Sequence, residues 1–150
     1  MSNLEFVAHV KQRQPDEVYQ LLADFASYPK YGDSIISVDV EPIEPGLVAV
    51  KWAAKFRDGE LRWTEKDRLD DANRTIQFEQ TEGDLEVFKG SWTVEPDGND
   101  TKAAFAAEFD LGIPSLATFL GPVAGQALRE TIQSVLTGFF GDDVTFSNQN

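Results

Sequence analysis

The chain has 150 residues, of which 41% are hydrophobic, and its 26 acidic and 13 basic residues give a formal net charge of -13. Because a strongly acidic surface repels phosphate groups, we expect neither nucleic acid nor an anionic membrane as a partner. With no cysteine and a single histidine, the chain lacks the ligands for a disulfide, a thiolate site or a multi-histidine metal centre, and we expect no metal and no cofactor.

The N-terminal stretch MSNLEFVAHVKQ lacks the basic start and apolar run of a signal peptide, and no apolar stretch approaches the roughly 20 residues of a membrane span. We therefore expect a cytoplasmic protein. The length predicts a single domain, placed at residues 1–141, followed by a polar and frayed C-terminal tail at residues 142–150. A carboxylate-only site for Mg²⁺ or Ca²⁺ stays open, although no loop has the acidic spacing around a glycine that calcium needs.

The first segments predict one strand and two helices. Residues 3–10 alternate between apolar and polar side chains, which is typical of a half-buried strand. The stretch QPDE at residues 14–17 opens a helix, because proline suits the first turn and acidic side chains favour the positive end of the helix dipole. A second, short helix is predicted over residues 27–31 and ends at Gly32.

A series of strands follows, and then one long helix. We predict strands at residues 35–40, 47–56, 60–69, 74–81, 85–94 and 101–111. The dipeptide Asp58-Gly59, between the second and the third of these, is a tight-hairpin signal. After a break at residues 112–114, apolar side chains at helical spacing from Leu116 to Phe139 predict a long amphipathic helix.

This order of elements predicts an α+β fold. An antiparallel sheet needs only one buried face, and a single long helix can cover that face. We therefore predict a helix-grip fold, in which a curved antiparallel sheet of about seven strands surrounds the long C-terminal helix and two short helices follow the first strand. Such a sheet leaves a cavity between itself and the helix.

Three stretches of the chain resemble a known superfamily. PDEVYQLLADFASYPKY is similar to the signature of START-like (SRPBCC) proteins, especially their polyketide cyclase/dehydrase and coenzyme Q-binding members. WTEKDRLDDANRTI resembles the strand-turn-strand of aromatic polyketide aromatase/cyclases, and FLGPVAGQALRETIQSVLTGF resembles the C-terminal helix of coenzyme Q-binding proteins. The resemblance spans residues 3–140 and implies a START/Bet v 1-like ligand-binding domain for a hydrophobic small molecule. It also makes an acyl carrier protein and a second copy of the chain candidate partners.

The catalytic positions of the aromatase/cyclases are not matched in this chain. Those enzymes place an arginine on the strand after the central hairpin, where this chain has Asp67. Some members use a histidine where this chain has Ala107, and others use a tyrosine where it has Ile35. The mechanism of the resembled enzymes is therefore not carried over to this protein.

Strand parity predicts the direction of two acidic side chains in RWTEKDRLDD, residues 62–71. Side chains two apart on a strand share a face, so Trp63, Glu65 and Asp67 lie on one side. The opposite side carries three cations and no apolar residue from position 62 to position 68, so it belongs in water. Glu65 and Asp67 are therefore predicted to point inward, unless a one-residue bulge reverses part of the strand.

The same alternation on neighbouring strands predicts an aromatic and aliphatic cavity, in which small residues leave room for a ligand. Burial raises the pKa of a carboxyl group, and a second carboxyl group about 7 Å along the strand raises it further, so one acts as an acid and the other as a base. We predict Asp67 and Glu65 as catalytic residues. The predicted substrate-binding residues are Gln80, Trp63, Trp52, Phe78, Phe88, Trp92, Phe105, Ala107, Ile35, Tyr31, Phe119 and Val123.

Structural alternatives exist for these residues. Glu65 and Asp67 can lie solvated at the cavity mouth or pair with a basic side chain from a loop. The three tryptophans can serve as wall and core rather than as surfaces that stack on a ligand. Tyr31 can pack the helical segment near the entrance instead of contacting a ligand.

Three functions fit these observations. The first is a polyketide cyclase/dehydratase of antibiotic biosynthesis, in which Asp67 and Glu65 supply acid/base catalysis and Gln80 orients a carbonyl of a hydrophobic polycarbonyl intermediate. The second is a non-catalytic carrier of a quinone, isoprenoid or other lipid. The third is a resistance protein that sequesters a natural product. The enzyme ranks first, because a pure carrier does not need buried acids.

Overall fold

A computed structural model describes residues 2–56, 59–111 and 114–148, without the side chains of residues 114–121. The first strand, β1 (Ser2–Val10), is followed by helix α1 (Pro15–Ala23), a 3-10 turn (Phe25–Ser27) and the short helix α2 (Tyr28–Tyr31). The next strands are β2 (Ile35–Glu44), β3 (Leu47–Phe56), β4 (Gly59–Asp70), β5 (Thr75–Gly83), β6 (Val87–Asp97) and β7 (Asp100–Asp110). Helix α3 (Pro114–Phe140), a second 3-10 turn (Gly141–Asp143) and strand β8 (Val144–Ser147) complete the described chain.

All the strands described here pair antiparallel in one sheet, in the order β2-β3-β4-β5-β6-β7-β1-β8. From β2 to β7, each strand pairs with its neighbour in the chain, as a meander does. β1 returns to pair with β7, and β8 pairs with the outer edge of β1. The sheet curves around α3, so its inner face can line a cavity.

The inner face of the sheet and one face of α3 form the core. The helix contributes Ala124, Leu128, Val135, Leu136 and Phe140, whose spacing corresponds to successive helical turns. Alternate residues of the strands pack against them; those of β1 and β7 are Leu4, Phe6, Ala8, Val10, Ala103, Phe105, Ala107 and Phe109. The predicted helix-grip architecture, with two short helices after the first strand, is confirmed.

The C-terminal tail departs from the prediction. Residues 144–147, expected to be frayed, form β8 and pair with the second half of β1. Val144 is buried, and the ring of Phe146 packs edge-on against Phe6 with centroids 5.9 Å apart. The prediction of a frayed tail is therefore wrong for this segment, and the described sheet has eight strands rather than about seven. The short alternation Val-Thr-Phe-Ser is enough to give an edge strand an inner face.

Two predicted connections fall partly on residues that the structure does not describe. Asp58 of the β3–β4 hairpin lies outside the described residues, although β3 and β4 pair as predicted up to Phe56↔Gly59. Residues 112–113 of the predicted break before α3 lie outside them as well, and the helix begins at Pro114.

Candidate functional site

Strand β4 turns two acidic side chains toward the protein interior. Trp63, Glu65 and Asp67 are 8%, 4% and 1% exposed, whereas the intervening Lys66 and the following Arg68 are exposed to solvent. The ladder between β3 and β4 runs without a register shift, so no bulge reverses the face on that side. A register shift toward β5 occurs beside Glu65 and leaves both acids buried. The acids thus lie on the inner face, as strand parity predicts.

Glu65 is held by two indole rings. Nε1 of Trp52 donates a hydrogen bond to Oε1 of Glu65 at 2.8 Å, and Nε1 of Trp63 donates to Oε2 at 3.0 Å. Trp52 and Trp63 are directly opposite each other on β3 and β4, and their rings stack with centroids 6.0 Å apart and 16° between the planes. Because both carboxylate oxygens accept an N–H donor, this environment favours the charged form of Glu65.

Asp67 has a different environment, although it lies only two residues farther along β4. Its Oδ1 is buried and has no hydrogen-bond partner. Burial, the charge of Glu65 and a hydrogen bond between the two carboxyl groups raise the pKa of Asp67 to about 10. Burial also raises the pKa of Glu65, but hydrogen bonds with Asp67, Trp63 and Trp52 act in the opposite direction. The N–H donors on both oxygens of Glu65 and the free Oδ1 of Asp67 therefore favour the charge on Glu65 and the proton on Asp67.

The two acids line a cavity between the sheet and α3. Its volume is about 70 Å³, which suits a few water molecules and is far below the several hundred Å³ of typical ligand pockets. The expectation of a roomy cavity is therefore wrong. Large rings occupy the space. The lining residues are Phe25, Tyr28, Ile35, Trp52, Ala54, Trp63, Glu65, Asp67, Phe78, Phe88, Trp92, Phe105, Leu128, Thr131 and Ile132.

The small residue Gly90 illustrates why the predicted room is absent. A Cβ atom at this position would meet the carbonyl oxygen of Ala106 and the ring of Phe78. The glycine therefore allows a close approach between β6, β7 and Phe78, and it leaves no free volume. Ala107, on the adjacent strand, is buried but does not line the cavity.

Several predicted binding residues are brought together at this cavity and others are not. Those that line it are Ile35, Trp52, Trp63, Phe78, Phe88, Trp92 and Phe105, together with both acids. Gln80 and Val123 do not line it, and the Gln80 amide donates instead to the backbone oxygen of Leu85 at 2.5 Å. Tyr31 is 42% exposed and packs against Phe139, so it belongs to the contact between α2 and α3. The side chain of Phe119 lies outside the described residues.

The helical segments supply lining residues that were not predicted as part of the site. Phe25 and Tyr28 enter from the 3-10 turn and α2, and the Tyr28 hydroxyl donates to the backbone oxygen of Leu22 at 2.6 Å. Burial, aided by the two nearby acids, raises the pKa of Tyr28 well above its usual range. Residues 128, 131 and 132 face the cavity from α3. Their spacing of three and four marks one helix face, which was assigned only to the core.

The described part of the chain contains neither a cluster of metal ligands nor a membrane-spanning helix. Within it, no group of three or more histidine, cysteine, aspartate or glutamate side chains is arranged to hold a metal ion. No helix among the described residues is long and apolar enough to cross a membrane.

Solved structures with the same architecture include three proteins of different origin. The protein TTHA0849 of Thermus thermophilus has a TM-score of 0.81 and 25% identity, covering 91% of this chain and 92% of that one. The ZhuI aromatase/cyclase of Streptomyces sp. R1128 has a TM-score of 0.68 and 20% identity, with coverages of 92% and 88%. A START superfamily protein of Mycobacterium smegmatis has a TM-score of 0.72 and 14% identity, with coverages of 95% and 97%. The two likenesses of lower identity show a shared fold alone.

Sequence comparison places the chain more narrowly. No curated protein matches it. The family model described as polyketide cyclase / dehydrase and lipid transport matches residues 12–136, from α1 through most of α3. This match confirms the resemblance drawn from the helical signature, the β4–β5 hairpin and the terminal helix. The chain therefore belongs to the polyketide cyclase / dehydrase and lipid transport family.

Proposed function

We propose that this protein is a cofactor-independent cyclase or dehydratase of hydrophobic polycarbonyl molecules, with Asp67 as its acid. The observation that carries the proposal is the buried carboxyl pair, in which Asp67, with a free Oδ1 and a pKa raised to about 10, lines a largely apolar cavity. A carboxylic acid kept neutral in an apolar site can donate to a carbonyl or to a departing hydroxyl group. Membership of the family supports the class of reaction.

Dehydration of a β-hydroxy ketone can be balanced on Asp67 alone. Asp67 gives its proton to the hydroxyl group, the C–O bond breaks, and water leaves. The Asp67 carboxylate then takes the proton from the carbon next to the ketone, and a C=C bond forms. The charge of Glu65 favours this second transfer, because two adjacent carboxylates repel each other. Asp67 ends with the proton that it held at the start, so no cofactor takes part.

The roles of Glu65 and Gln80 differ from those predicted from the sequence. Both oxygens of Glu65 are engaged by indole N–H groups, so Glu65 serves in this proposal as the charge beside Asp67 rather than as a free base. Gln80 does not line the cavity, and it has no role in orienting a carbonyl in the closed form. Asp67 is thus the one acid/base group that meets the substrate.

Substrate binding requires one cavity wall to move, because a volume of about 70 Å³ does not accommodate a polyketide-sized molecule. The sheet side of the cavity is held by strand pairing. The opposite side includes the 3-10 turn and α2, two short elements that insert Phe25 and Tyr28. Short elements held mainly by packing open at lower free energy than central strands, so this segment is the wall that moves in the proposal.

Asp67→Asn tests the proposal, because asparagine keeps the size of the side chain and cannot deliver the proton. With an aryl β-hydroxy ketone as substrate, dehydration to the conjugated enone is followed by absorbance. We expect turnover to fall at least about 100-fold, while binding measured by tryptophan fluorescence changes little. The matched control is Asp39→Asn on the exposed face of β2, which retains turnover. Full turnover in a combined Asp67→Asn and Glu65→Gln variant would remove this mechanism.

A carrier of a quinone, isoprenoid or other lipid is the second candidate. The observation that favours it is the lining of the cavity, which is apolar apart from the acids, Tyr28 and Thr131. Mass spectrometry of the protein purified from cells separates the two candidates. A stoichiometric lipid without turnover assigns a carrier, whereas an empty protein that dehydrates the ketone supports the enzyme.

The same preparation tests the expected partners and the expected biological role. An acyl carrier protein is expected to co-purify with the enzyme if it delivers the substrate. Light scattering tests the expected homodimer. A growth-protection assay separates a role in antibiotic biosynthesis from a sequestering resistance protein.

A further inference from the structure

Two tryptophan side chains donate their indole N–H groups to the same carboxyl group, that of Glu65. An indole ring has one N–H donor and no acceptor, so each ring can donate a single hydrogen bond. Trp52 and Trp63 both donate to Glu65, at 2.8 and 3.0 Å, and all three side chains are more than nine-tenths buried. Trp92 lines the same cavity, and its indole nitrogen donates to neither acid. Trp52 and Trp63, here called the indole pair, therefore donate hydrogen bonds to Glu65 and none to Asp67.

The elements packed around Glu65 bring no competing charge within the described part of the chain. From β5, the residue paired with it is Gln80, whose amide is engaged by a backbone carbonyl. From α2 comes Tyr28, whose hydroxyl donates to a backbone carbonyl and whose pKa is raised by burial. The cavity-facing residues of α3 are Leu128, Thr131 and Ile132, none of which ionises. The cations of β4 point outward. Besides burial, the indole pair and Asp67 are thus the influences on the charge state of Glu65.

We propose that Trp52 and Trp63 are positioning residues that keep Glu65 as the carboxylate and thereby leave the single proton of the pair on Asp67. When two buried carboxyl groups share one proton, hydrogen bonds donated to one of them favour the charged form of that group. Here the donors differ completely, because Glu65 has an N–H on each oxygen and Asp67 has a free Oδ1. The negative charge stays on the side chain that is fully engaged, and the proton stays on the side chain with a free oxygen.

This inference deepens the proposed function but does not depend on turnover for its test. Its direct consequence is a change in which carboxyl group titrates first. A hydrogen bond to a charged group shifts its titration, and we expect about one pH unit for each indole donor. Replacement of tryptophan by phenylalanine removes the N–H and keeps an aromatic ring in the wall.

The experiment is an NMR titration of protein with ¹³C-labelled aspartate and glutamate carboxyl groups, in Trp52→Phe, Trp63→Phe and the double variant. In the unchanged protein at neutral pH, we expect the charged signal for Glu65 and the protonated signal for Asp67. In the double variant, the titration of Glu65 is expected to move upward by about two pH units. Part of the proton population then moves from Asp67 to Glu65, and each single variant gives a smaller shift in the same direction.

Trp92→Phe is the matched control, since it also removes an indole N–H from this cavity but removes no donor to Glu65. It is expected to leave both carboxyl titrations unchanged. If the double variant does not fold, the unchanged protein still supplies a test. The indole N–H signals of Trp52 and Trp63 are expected to shift as Glu65 titrates, while that of Trp92 stays in place. A Glu65 titration unaffected by the double variant, or indole signals unaffected by Glu65, would overturn the inference.

Failure of this inference can be told apart from failure of the proposed function. Unchanged carboxyl titrations in the indole variants, together with lost turnover in Asp67→Asn, would overturn the positioning role and leave the function standing. Shifted carboxyl titrations in the indole variants, together with full turnover in Asp67→Asn, would overturn the proposed function and leave the positioning role standing. The protonation readout and the turnover readout therefore address separate claims.

Discussion

Asp67 shows how one residue can combine a structural cost with a chemical use. Taking a charged carboxylate out of water is unfavourable, so a buried carboxyl group without cationic partners takes up a proton instead. Asp67 is 1% exposed, and the side chains that line the cavity with it include Glu65 but no cation. Its proton lowers the cost of burial and is also the proton that the proposed reaction uses. Folding of this chain is therefore coupled to proton binding at one site.

The pH dependence of stability follows from this coupling. The pKa of Asp67 is about 10 in the folded protein, against about 3.9 for an aspartate in an unfolded chain. Between these values only the folded state holds the proton, so the free energy of unfolding falls as pH rises, by at most about 1.4 kcal/mol per pH unit for this group. Below a pH of about 3.9 both the folded and the unfolded state hold the proton, so the free energy of unfolding no longer changes with pH through this group. In Asp67→Asn the contribution disappears, so urea unfolding should show an advantage over the unchanged protein that grows from acidic to alkaline pH.

The control for this prediction is Asp39→Asn, which removes an exposed carboxyl group from β2 and should retain the pH dependence of the unchanged protein. An equal pH dependence in Asp67→Asn and the unchanged protein would show that Asp67 is not protonated by folding.

At the scale of elements, the contact between α2 and α3 relies on glycine. A Cβ atom on Gly138 would lie 2.6 Å from Cβ of Tyr31 and 2.7 Å from its backbone oxygen. A Cβ atom on Gly32, just after α2, would lie 2.5 Å from a methyl group of Val135. The two helices therefore meet almost backbone to backbone. Because α2 carries Tyr28 into the cavity wall, this contact also positions part of that wall.

Gly138→Ala should separate α2 from α3. Alanine favours a helix over glycine by roughly 1 kcal/mol, so a purely local effect would stabilise the protein. We expect the opposite, a loss of about 1–3 kcal/mol from the forced contact with Tyr31, measured by urea unfolding. Hydrogen exchange of the α2 amides should become faster. Gly125→Ala in the same helix is the matched control, since its added Cβ atom would meet only the Phe109 ring, at 3.3 Å. Equal stability of the two variants would contradict the prediction.

At the scale of the whole molecule, charge is the dominant feature. The net charge of -13 comes from 26 acidic residues against 13 basic ones. In the described part of the chain there are five ion pairs, and each includes at least one side chain that is more than a third exposed. Ion pairs of this kind contribute little to stability, whereas a large net charge destabilises a compact state by self-repulsion.

Salt should therefore stabilise this protein. Sodium chloride shortens the range of the repulsion between acidic side chains, so the urea midpoint at neutral pH is expected to rise between low and moderate salt. The same series near the isoelectric point of about 4.3 is the control, because the net charge is close to zero there. A midpoint that falls with salt at neutral pH would mean that attractive ion pairs outweigh the repulsion.

The sequence by itself determined the features that depend on local periodicity. The alternation of cations with Trp63, Glu65 and Asp67 was sufficient to orient β4, because the face of a strand residue follows from its position in the pleat. Helical spacing and turn residues likewise predicted the order of elements and the helix-grip fold. The missed strand β8 is the exception, since its four residues are too few for a clear pattern.

Only the tertiary structure decided the volume of the cavity and the partners of the acids. Phe25 and Tyr28 reach the cavity from helical segments that are distant in sequence from the strands opposite them. The two indole nitrogens converge on Glu65 because β3 and β4 pair in one particular register. Periodicity tells which way a side chain points. It does not tell how much space remains when large side chains from several elements fill the same volume, because that depends on their packing in three dimensions.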